Sequence, residues 1–497
     1  MTVTRRPSPL AAATLSLVLP GLGEWLVGAR ERALLIAVPA LAVGGFVCGA
    51  IASAYLEGGR DTVLSLLLRP EVLVALIVVD LGALIYHDAA IVDAWLVARH
   101  RRGPDRRRLT RFRAIAGVAV VLALATGAHG AIAALGVDAE ATLQAVVPGD
   151  EGGRWAIPDT SFEPGPTPAP TSPATPPATP APAPSATASA APTPMPSPSP
   201  TPAPTPAPAW AEDGRLNLLI VGTDAGPDRW LLRTDSMIVL SVDVATGRAA
   251  LFGIPRNMTG VPLPPESRGA FADGRFPGML NALYVYAWGH PSQFPGGDAR
   301  GFRAVTGAVQ ELIGVRLDAF VALDLRGFVE LVDALGGLWI QVPERLVDSA
   351  YPKIDGSGTV RIAIEPGCHH LDGEMALAYA RSRHQDSDYG RMQRQQQVLL
   401  ALRGQLDPAA LLPQVPALLQ AARDHLWTTI SQDDLPSLVE LAARVKTSAV
   451  ATVRFVPSAY PEHLTTAEIG RIRAVVRDVF TGPAPQPSAT DAGPSCP

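Results

Sequence analysis

The stretch NLLIVGTDAGPDRWLLRTDSMIVLSVD, residues 217–243, decides the fold of the C-terminal part of this 497-residue chain. Two apolar runs rich in β-branched residues stand on either side of a loop that contains Gly and Pro. Runs of this kind, bounded by turn residues, predict strands at 216–222 and 235–243. A third apolar run predicts a strand at 248–254, so three strands follow one another along the chain.

Charged side chains stand where these predicted strands begin and end. Charged residues are also dense far along the chain, in LAYARSRHQDSDYGRMQRQQQ, residues 377–397. The candidates in the two segments are Asp224, Arg233, Asp235, Arg256, Arg381, Arg383 and Arg391. Guanidinium forks match phosphate oxygens, and Mg²⁺ is usually held by one or two carboxylates together with the phosphates of a substrate. The two segments therefore predict one site for a pyrophosphate with a bound metal.

The spacing of these residues supports a single site. Residues two apart in an extended segment share a face, so Arg233 projects together with Asp235. Arg381 and Arg383 have the same spacing. In a helix, positions i, i+3 and i+4 share a face. The helix predicted to follow has at these positions Arg391, Arg394 and Gln395.

The rest of the C-terminal sequence alternates short apolar runs with helical patterns. Further strands are predicted at 318–323, 338–343, 359–364 and 450–456. Helices are predicted at 279–288, 300–313, 325–335, 373–380, 389–405, 408–423, 433–446 and 465–480. Mixed strands and helices in this order indicate an α/β fold, an α/β/α sandwich with a central mixed sheet. The sequence lacks the glycine patterns of nucleotide-binding loops.

The first 147 residues are strongly apolar, with islands of arginine. Three stretches, about 33–56, 71–97 and 112–135, are long and apolar enough to span a bilayer. A shorter stretch at 10–29 carries a central Pro-Gly-Leu-Gly that breaks a helix, which predicts a re-entrant or interfacial hairpin. Residues 1–147 are therefore predicted to form an all-α transmembrane region, with a fourth span at 10–29 as the alternative.

The arginine run at 99–113 predicts the orientation of this region. Cytoplasmic loops carry an excess of Lys and Arg, so the run is expected inside and the chain after residue 136 outside. The protein is then a multi-pass protein of the cell membrane with an extracytoplasmic C-terminal domain. Because topology explains the basic run, we do not expect a nucleic-acid partner.

Residues 148–210 are rich in Pro, Ala, Thr and Ser, a composition that cannot bury a core and favours an extended chain. They are predicted to be a disordered linker, with the domain at 211–481 and a disordered tail at 482–497. The cysteines show no metal-binding spacing. Outside the cell Cys368 and Cys496 are able to form a disulfide, and two unpaired thiols are the alternative.

Six pieces of the C-terminal sequence match one known family, in the order in which that family has them. They are LLIVGTD, RTDSMIVLSVD, GIPRN, LNALYVYA, FVALDLRGFVELVDALGGLWIQVP and HLDGEMALAYARSRHQDSDYGRMQRQQ. On these pieces the domain resembles the LytR-CpsA-Psr family of cell-wall ligases. The resemblance is strong over about 215–400 and weak over 401–480, and several motifs in register make it specific.

The resemblance implies a phosphotransferase that moves an anionic glycopolymer from a polyprenyl-pyrophosphate carrier onto a peptidoglycan acceptor. By position it assigns Mg²⁺ (or Mn²⁺) to Asp224 and Asp235. It assigns the pyrophosphate to Arg233, Arg256, Arg381, Arg383, Arg391 and Gln395. Among these residues, the implied catalytic set is Asp235, Arg233, Arg256 and Arg381. An apolar tunnel between sheet and helices would hold the lipid, and Asp235 as a general base is the alternative to metal binding.

The sequence departs from the family pattern at two positions. Many members have Lys-x-Asn where this chain has Met279-Leu280-Asn281, and many have Asp where this chain has Asn257. Arg275 is a possible replacement for the missing cation. The alternative functions are a non-catalytic sensor of polyprenyl pyrophosphate and a pyrophosphatase that uses water as the acceptor.

The topology is testable with reporter fusions in intact cells. A reporter fused after Arg108 should lie in the cytoplasm, and one fused after Pro208 should lie outside it, because the third span separates the two positions. Protease accessibility of the two fusions measures this. Finding both reporters on the same side would contradict the number of spans.

Overall fold

The computed structural model of the protein describes residues 7–67, 69–102, 108–146, 210, 214–224, 232–383, 385, 387–405, 414–445, 450–457, 459–481 and 496. Apart from Trp210 and Cys496, the predicted linker and the predicted tail lie outside the described residues. The described residues form an N-terminal set of helices and a C-terminal α/β domain.

Among the described residues, five helices with defined bounds precede the domain, namely α1 Pro9–Val18, α2 Leu22–Leu26, α3 Arg30–Leu67, α4 Pro70–Arg102 and α5 Arg108–Val146. Three stretches within them are long and apolar enough to cross a membrane: Arg30–Leu56, Val72–Arg101 and Ile115–Ala134. The described part of the chain has no other helix of that length and composition. The prediction of three apolar N-terminal helices is confirmed.

The segment before α3 folds back on itself. Helix α1 has ten residues, about 15 Å, which is half the thickness of the hydrocarbon core of a bilayer. The following turn passes through Gly21, whose φ of 95° lies in the left-handed region that favours glycine. A Cβ at Gly21 would also lie 2.5 Å from the carbonyl oxygen of Ala33. The two short helices lie against each other as a hairpin, and its placement in the membrane stays a prediction.

The domain is built on a six-stranded mixed sheet. Its strands are β1 Arg215–Thr223, β2 Thr234–Asp243, β3 Ala249–Gly253, β6 Ala319–Leu323, β11 Leu426–Thr428 and β12 Val450–Arg454. Their order is β11-β6-β1-β2-β3-β12. The β1–β2, β2–β3 and β6–β11 pairs are antiparallel, and the β1–β6 and β3–β12 pairs are parallel.

Smaller paired strands and helices complete the domain. The strand pairs are β4 Val261–Pro262 with β5 Arg275–Phe276, β7 Leu338–Val342 with β10 Gly367–Leu371, and β8 Leu346–Pro352 with β9 Thr359–Ile364. The helices are α6 Leu283–Gly289, α7 Arg300–Ile313, α8 Leu325–Ala334, α9 Gly373–Arg381, α10 Asp388–Gln405, α11 Val415–His425, α12 Leu435–Arg444 and α13 Thr466–Asp478. Short 3₁₀ turns lie at Arg268–Ala270, Leu280–Ala282 and Gly297–Ala299.

Alternation along β1 divides the domain into two layers of helices. Leu219 and Val221 are fully buried in the main core, which helices α7 and α13 close on one side of the sheet. Leu218 and Ile220 are half-buried and line a cavity on the other side, together with residues of α8, α9 and α10. Successive side chains of a strand point to opposite faces, so one short apolar strand serves both layers.

Side-chain caps begin the two helices that wall the cavity. The Asp324 carboxylate accepts the N–H of Gly327 at 2.7 Å at the start of α8. The Asp372 carboxylate accepts the N–H of Met375 at 2.8 Å at the start of α9. Each cap satisfies an N–H that the first helical turn leaves free, which is why Asp is favoured there.

The predicted fold class, an α/β/α sandwich around a central mixed sheet, is confirmed in the described residues. Five strands of the described residues were absent from the prediction, namely β4, β5, β8, β10 and β11. These are short or carry polar residues such as His369 and His370, so the pattern of their side chains is not that of a buried strand. The structure also records the disulfide between Cys368 and Cys496, which selects one of the two alternatives.

The main core can be tested at Phe252. This residue is fully buried in β3, and its ring stacks on Phe455 with the ring centres 6.1 Å apart. Replacement by Ala removes buried apolar surface and leaves a cavity, so Phe252→Ala should lower the free energy of unfolding by about 3–5 kcal/mol. Val360→Ala, at a residue that is 40% exposed, should change it by less than about 0.5 kcal/mol. Denaturant unfolding measures both, and equal effects would contradict the described core.

Candidate functional site

Arg256 lies at the centre of the candidate site, between two carboxylates. Its Nη1 donates to Oδ1 of Asp235 at 2.7 Å, and its Nε donates to Oδ2 of Asp388 at 3.0 Å. Asp235 is at the start of β2, Arg256 follows β3, and Asp388 begins α10. The ion pairs therefore join the ends of two adjacent strands to a helix that begins 132 residues after Arg256.

Asp388 faces two further arginines. Nη1 of Arg383 lies 3.6 Å from its Oδ1, and Nη1 of Arg391 lies 3.7 Å from the same atom. Burial alone would raise the pKa of Asp388, but the charge of Arg391 and the hydrogen bond and charge of Arg256 lower it below its ordinary value. From the sequence, Asp388 is expected to add a metal ligand, to orient Arg383 or Arg391, or to cap the following helix. Its contacts with both arginines agree with the orienting role. Asp388 and Arg391 stand at i and i+3 of one helix, a spacing that places them on one face.

Arg391 is almost completely buried, with 3% of its surface exposed. Its Nη2 donates to the backbone carbonyl of Asp235 at 3.2 Å, while its Nε is buried without a hydrogen-bond acceptor among the described residues. Burial lowers the pKa of Arg391, and the charge of Arg256 adds to this effect, so the pKa falls to about 10. A buried cation with an unused N–H favours an anion beside it.

Arg381, the last residue of α9, also has a buried guanidinium N–H group without an acceptor among the described residues. It is half-buried and lines the cavity, and its Nη1 is buried without an acceptor in the described part of the chain. Its guanidinium carbon lies 5.9 Å from the ring centre of Tyr351. Two arginines of the predicted set therefore present unused N–H groups at the edge of one cavity.

Helix α10 contributes polar residues to the lining of the cavity. The prediction that Arg394 and Gln395 project to the same side of this helix is wrong. Gln395 lines the cavity and accepts a hydrogen bond from the Ser236 hydroxyl at 3.0 Å. Arg394, predicted to point the same way, instead donates to the backbone carbonyls of Tyr379 and Ser382. Its guanidinium therefore holds the end of α9 in place, because that end leaves carbonyls without helical partners.

Asp224 and Arg233 are joined through the backbone where β1 and β2 separate. The N–H of Arg233 donates to Oδ1 of Asp224 at 2.7 Å, and the N–H of Asp224 donates to the carbonyl of Arg233 at 3.1 Å. The Asp224 side chain is buried, whereas that of Arg233 is exposed to solvent. Asp224 thus stands at the strand end next to Asp235. Arg233 is placed at the rim, unlike Arg256 and Arg391.

Asp235 is held as an anion. Its Oδ1 accepts hydrogen bonds from Arg256 and, at 3.3 Å, from Nδ2 of Asn281. Burial alone would raise the pKa of Asp235, but the charge and hydrogen bond of Arg256 and then the charge of Arg391 lower it. A carboxylate stabilised in this way is a poor proton acceptor and a good partner for cations.

The oxygen atoms at these two strand ends fit a hard cation that also has ligands from a substrate. Among the described residues, no group of three or more His, Cys, Asp and Glu side chains forms a metal site by itself. The hydroxyls of Thr223 and Thr234, each next in sequence to a predicted metal ligand, are buried without a partner. Mg²⁺ accepts one or two carboxylates and completes its coordination with water and phosphate oxygens.

The charged residues around Arg256 form a cluster that consists of Asp235, Arg256, Arg381, Arg383, Asp388 and Arg391. The cavity beside this cluster has a volume of about 330 Å³. Most of its lining is apolar and comes from the sheet and from α8, α9 and α10, including Leu218, Ile220, Ile238, Val321, Leu323, Phe328, Leu331, Leu377, Val398, Leu399 and Leu402. Four polar residues that line it belong to the cluster or contact it, namely Asp235, Arg381, Arg391 and Gln395. An apolar cavity with convergent polar groups at one part of its wall is typical of a ligand site.

The structure shows the surroundings of Met279 and Asn257, the two positions at which the sequence departs from the family pattern. Met279 is 51% exposed, and Arg275 does not replace the missing cation, because it donates to the carbonyl of Leu464 at 3.0 Å and to the hydroxyl of Thr466 at 2.8 Å. Nδ2 of Asn257 donates to Oε1 of Glu462 at 2.6 Å. A carboxylate from a distant part of the chain therefore lies beside the position where many family members have Asp.

The geometry was compared with known families and proteins. The family model described as LytR_cpsA_psr family matches residues 185–466. Biofilm regulatory protein A of Streptococcus mutans is 25% identical over 245 residues, which are 48% of this chain and 55% of that protein. The polyisoprenyl-teichoic acid–peptidoglycan teichoic acid transferase TagV of Bacillus subtilis is 29% identical over 200 residues, 40% of this chain and 45% of that protein. The chain spans about half the length of these curated relatives.

Solved structures were compared in the same way. The crystal structure of Bacillus subtilis TagV has 23% identity and a TM-score of 0.41, over 54% of this chain and 97% of that one. The structure of TagT bound to LIIa-WTA has 20% identity and a TM-score of 0.37, over 54% of this chain and 92% of that one.

Fold and site together define an α/β domain with an arginine-rich cluster at an apolar cavity, carried by a chain with three candidate membrane helices. The family model covers more than half of the chain and includes all of the site residues described above. The protein belongs to the LytR_cpsA_psr family.

Substitutions of Arg394 and Arg381 should differ in their effect on the free energy of unfolding. Arg394→Ala removes a buried side chain and leaves the carbonyls of Tyr379 and Ser382 without partners, so it should lower the free energy of unfolding by about 2–4 kcal/mol. Arg381→Ala removes a cation with an unused N–H and should lower it by less than about 1 kcal/mol. Denaturant unfolding measures both. A larger loss for Arg381→Ala would mean that Arg381 has a structural role.

Proposed function

We propose that the protein is a membrane-anchored phosphotransferase that moves an anionic glycopolymer from a polyprenyl-pyrophosphate carrier onto peptidoglycan. The observation that carries this proposal is the pair of buried N–H groups, on Arg381 and Arg391, that lack acceptors beside an apolar cavity. A pyrophosphate supplies acceptors for both, and a prenyl chain matches the apolar wall. A ligand with one charged end and one apolar end uses both halves of this site.

The apolar half of the site favours a lipid over a soluble diphosphate. Strand residues Leu218 and Ile220 and helix residues such as Phe328 and Leu402 line the cavity, and their side chains are only half-buried. Transfer of apolar surface from water contributes about 25 cal/mol per Å². A soluble nucleotide or inorganic pyrophosphate gains nothing from this wall.

The cluster would act mainly through charge. Arg256, Arg381 and Arg391 would bind the pyrophosphate, with Arg383 and Arg233 at the more exposed rim. Polyprenyl phosphate is the leaving group, so negative charge increases on its oxygens as the bond breaks, and fixed guanidiniums stabilise that charge. Gln395, held by Ser236, would position the lipid phosphate.

We further propose that Asp224 and Asp235 hold Mg²⁺ or Mn²⁺ together with the pyrophosphate. The bound ion would neutralise phosphate charge and polarise the reacting phosphoryl group. Asp235 then has two neighbours of positive charge, Arg256 and the ion. Its lowered pKa favours this role over that of a general base.

The names of two relatives' activities support the reaction class. TagV of Bacillus subtilis is named a polyisoprenyl-teichoic acid–peptidoglycan teichoic acid transferase. We propose the same class of donor and acceptor for this chain. The disulfide between Cys368 and Cys496 supports an extracytoplasmic location, because such bonds persist in oxidising compartments, and the three apolar helices support a multi-pass membrane anchor.

The proposal is tested with the intact chain in detergent micelles, a prenyl-pyrophosphate-linked saccharide and peptidoglycan fragments. Transfer should require Mg²⁺ or Mn²⁺ and should stop with a chelator. Asp235→Ala should abolish it, and Arg381→Ala should reduce it by about 10²-fold or more, as expected for loss of a group that stabilises transition-state charge. Arg316→Ala, at an exposed arginine after α7, is the matched control and should leave transfer unchanged.

Other outcomes of the same experiment identify the alternatives. Release of the saccharide phosphate into water without ligation would identify a pyrophosphatase. Tight binding of the prenyl pyrophosphate with no turnover under either metal would favour a sensor, a possibility raised by relatives named as regulatory proteins. Turnover that is indifferent to both metals would contradict the assignment of Asp224 and Asp235.

A further inference from the structure

The proposed transfer needs a group that receives the proton of the acceptor hydroxyl, and the following inference rests on that proposed function. The lipid occupies the apolar cavity, so the polar acceptor has to approach from the solvent side of the arginine cluster. A group that receives its proton must be a carboxylate or an equivalent base on that side, within reach of the cluster.

The two carboxylates inside the cluster are unsuited to this task. Asp235 is bound to Arg256, and Asp388 faces Arg256, Arg383 and Arg391. Oδ1 of Asp235 and both carboxylate oxygens of Asp388 already accept hydrogen bonds from Arg256. A carboxylate that is paired with guanidiniums in this way is a weak base.

Glu462 is a third carboxylate next to the cluster. Its Oε1 accepts hydrogen bonds from the Tyr389 hydroxyl at 2.7 Å and from Nδ2 of Asn257 at 2.6 Å. Asn257 follows Arg256, and Tyr389 follows Asp388, so both donors are attached to the central ion pair of the site. The side chain of Glu462 is therefore held one residue away from each partner of that pair.

The backbone fixes this position as well. The carbonyl of Glu462 accepts the N–H of Thr259 at 2.8 Å, and the N–H of Leu464 donates to the carbonyl of Thr259 at 3.0 Å. The segment before α13 is thus hydrogen-bonded to the segment that follows Arg256. These two backbone hydrogen bonds keep Glu462 next to the residues that follow Arg256.

The surroundings of Glu462 differ from those of the other two carboxylates. Within the described part of the chain its carboxylate accepts hydrogen bonds from an amide and a phenol, and these are uncharged groups. Burial raises the pKa of Tyr389, and the hydrogen bond to Glu462 raises it further, so the phenol remains a donor. Glu462 is exposed to solvent and is not part of the cavity wall. It therefore lies on the solvent side of the site, from which a polar acceptor would approach if the lipid fills the cavity.

We propose that Glu462 binds the acceptor hydroxyl and takes its proton during transfer. The acceptor oxygen forms a bond to the phosphorus that carries the glycopolymer, and the bond from that phosphorus to the bridging oxygen breaks. The bridging oxygen keeps the electron pair and leaves as part of polyprenyl phosphate. The hydroxyl proton passes to the Glu462 carboxylate.

The test compares variants of the intact chain in the transfer assay with the prenyl-pyrophosphate-linked saccharide and peptidoglycan fragments. Glu462→Gln keeps an oxygen for Tyr389 and removes the charge. It should lower kcat for transfer by about 10²-fold or more, the usual contribution of a general base. The affinity for the prenyl-pyrophosphate-linked saccharide should change by less than about 2-fold, because the arginines that bind it are untouched.

A second variant separates chemistry from structure. Glu462→Ala should lose transfer to a similar extent and regain part of it when formate is added, because formate supplies the missing carboxylate. Glu344→Gln, at another exposed glutamate, is the matched control and should behave as the wild type in every assay. Tyr389→Phe keeps the carboxylate and loosens it, so its loss should be smaller than that of Glu462→Gln.

Three results would overturn the proposal. Transfer by Glu462→Gln at the wild-type rate would remove the role outright. A loss in Glu462→Ala that formate does not restore, together with weaker lipid binding, would show that Glu462 only supports the loop. A wild-type chain that binds the lipid donor and never transfers would refute the proposed function itself, and this outcome is distinct because it appears before any variant is made.

Discussion

The ion pairs of Arg256 are the constraint on which the rest of the site depends. One guanidinium contacts Asp235 on the sheet and Asp388 on α10, so it connects the strand layer to the helix layer at the edge of the cavity. The pairs are partly buried, and partial burial makes charge interactions stronger than they are on an open surface. Because Asp388 also faces Arg383 and Arg391, the placement of one carboxylate determines where two further cations stand.

The cluster holds more positive than negative charge, and this imbalance is the source of its chemistry. Burial and the like charge of Arg256 lower the pKa of Arg391 to about 10, so its charged form is disfavoured there. The charges of Asp388 and Asp235 partly offset this cost. In the proposed function, a bound pyrophosphate would offset the rest of it.

The two environments of the site match the two ends of the proposed donor. Half-buried leucine and isoleucine side chains of the sheet line one part, and charged groups that contact solvent lie at the other. The acceptor-side carboxylate, Glu462, belongs to the second environment and reaches it through Asn257 and Tyr389. In the proposed reaction, lipid and acceptor would lie on opposite sides of the same guanidiniums.

The sequence by itself determined the elements and the composition of the site. Apolar runs rich in β-branched residues located β1 and β2, and length and apolarity located the three candidate spans. Charged residues near strand and helix ends predicted that Asp235, Arg256, Arg381 and Arg391 would lie near one another, and the structure brings them together beside one cavity. It did not distinguish Arg394 from Gln395, since adjacent positions on a polar helix face look alike until the neighbouring helix is in place. The contact of Asp388 with Arg256 and that of Glu462 with Asn257 were decided by tertiary structure alone. Contacts between segments more than 100 residues apart depend on how layers pack, and local patterns carry no record of that packing.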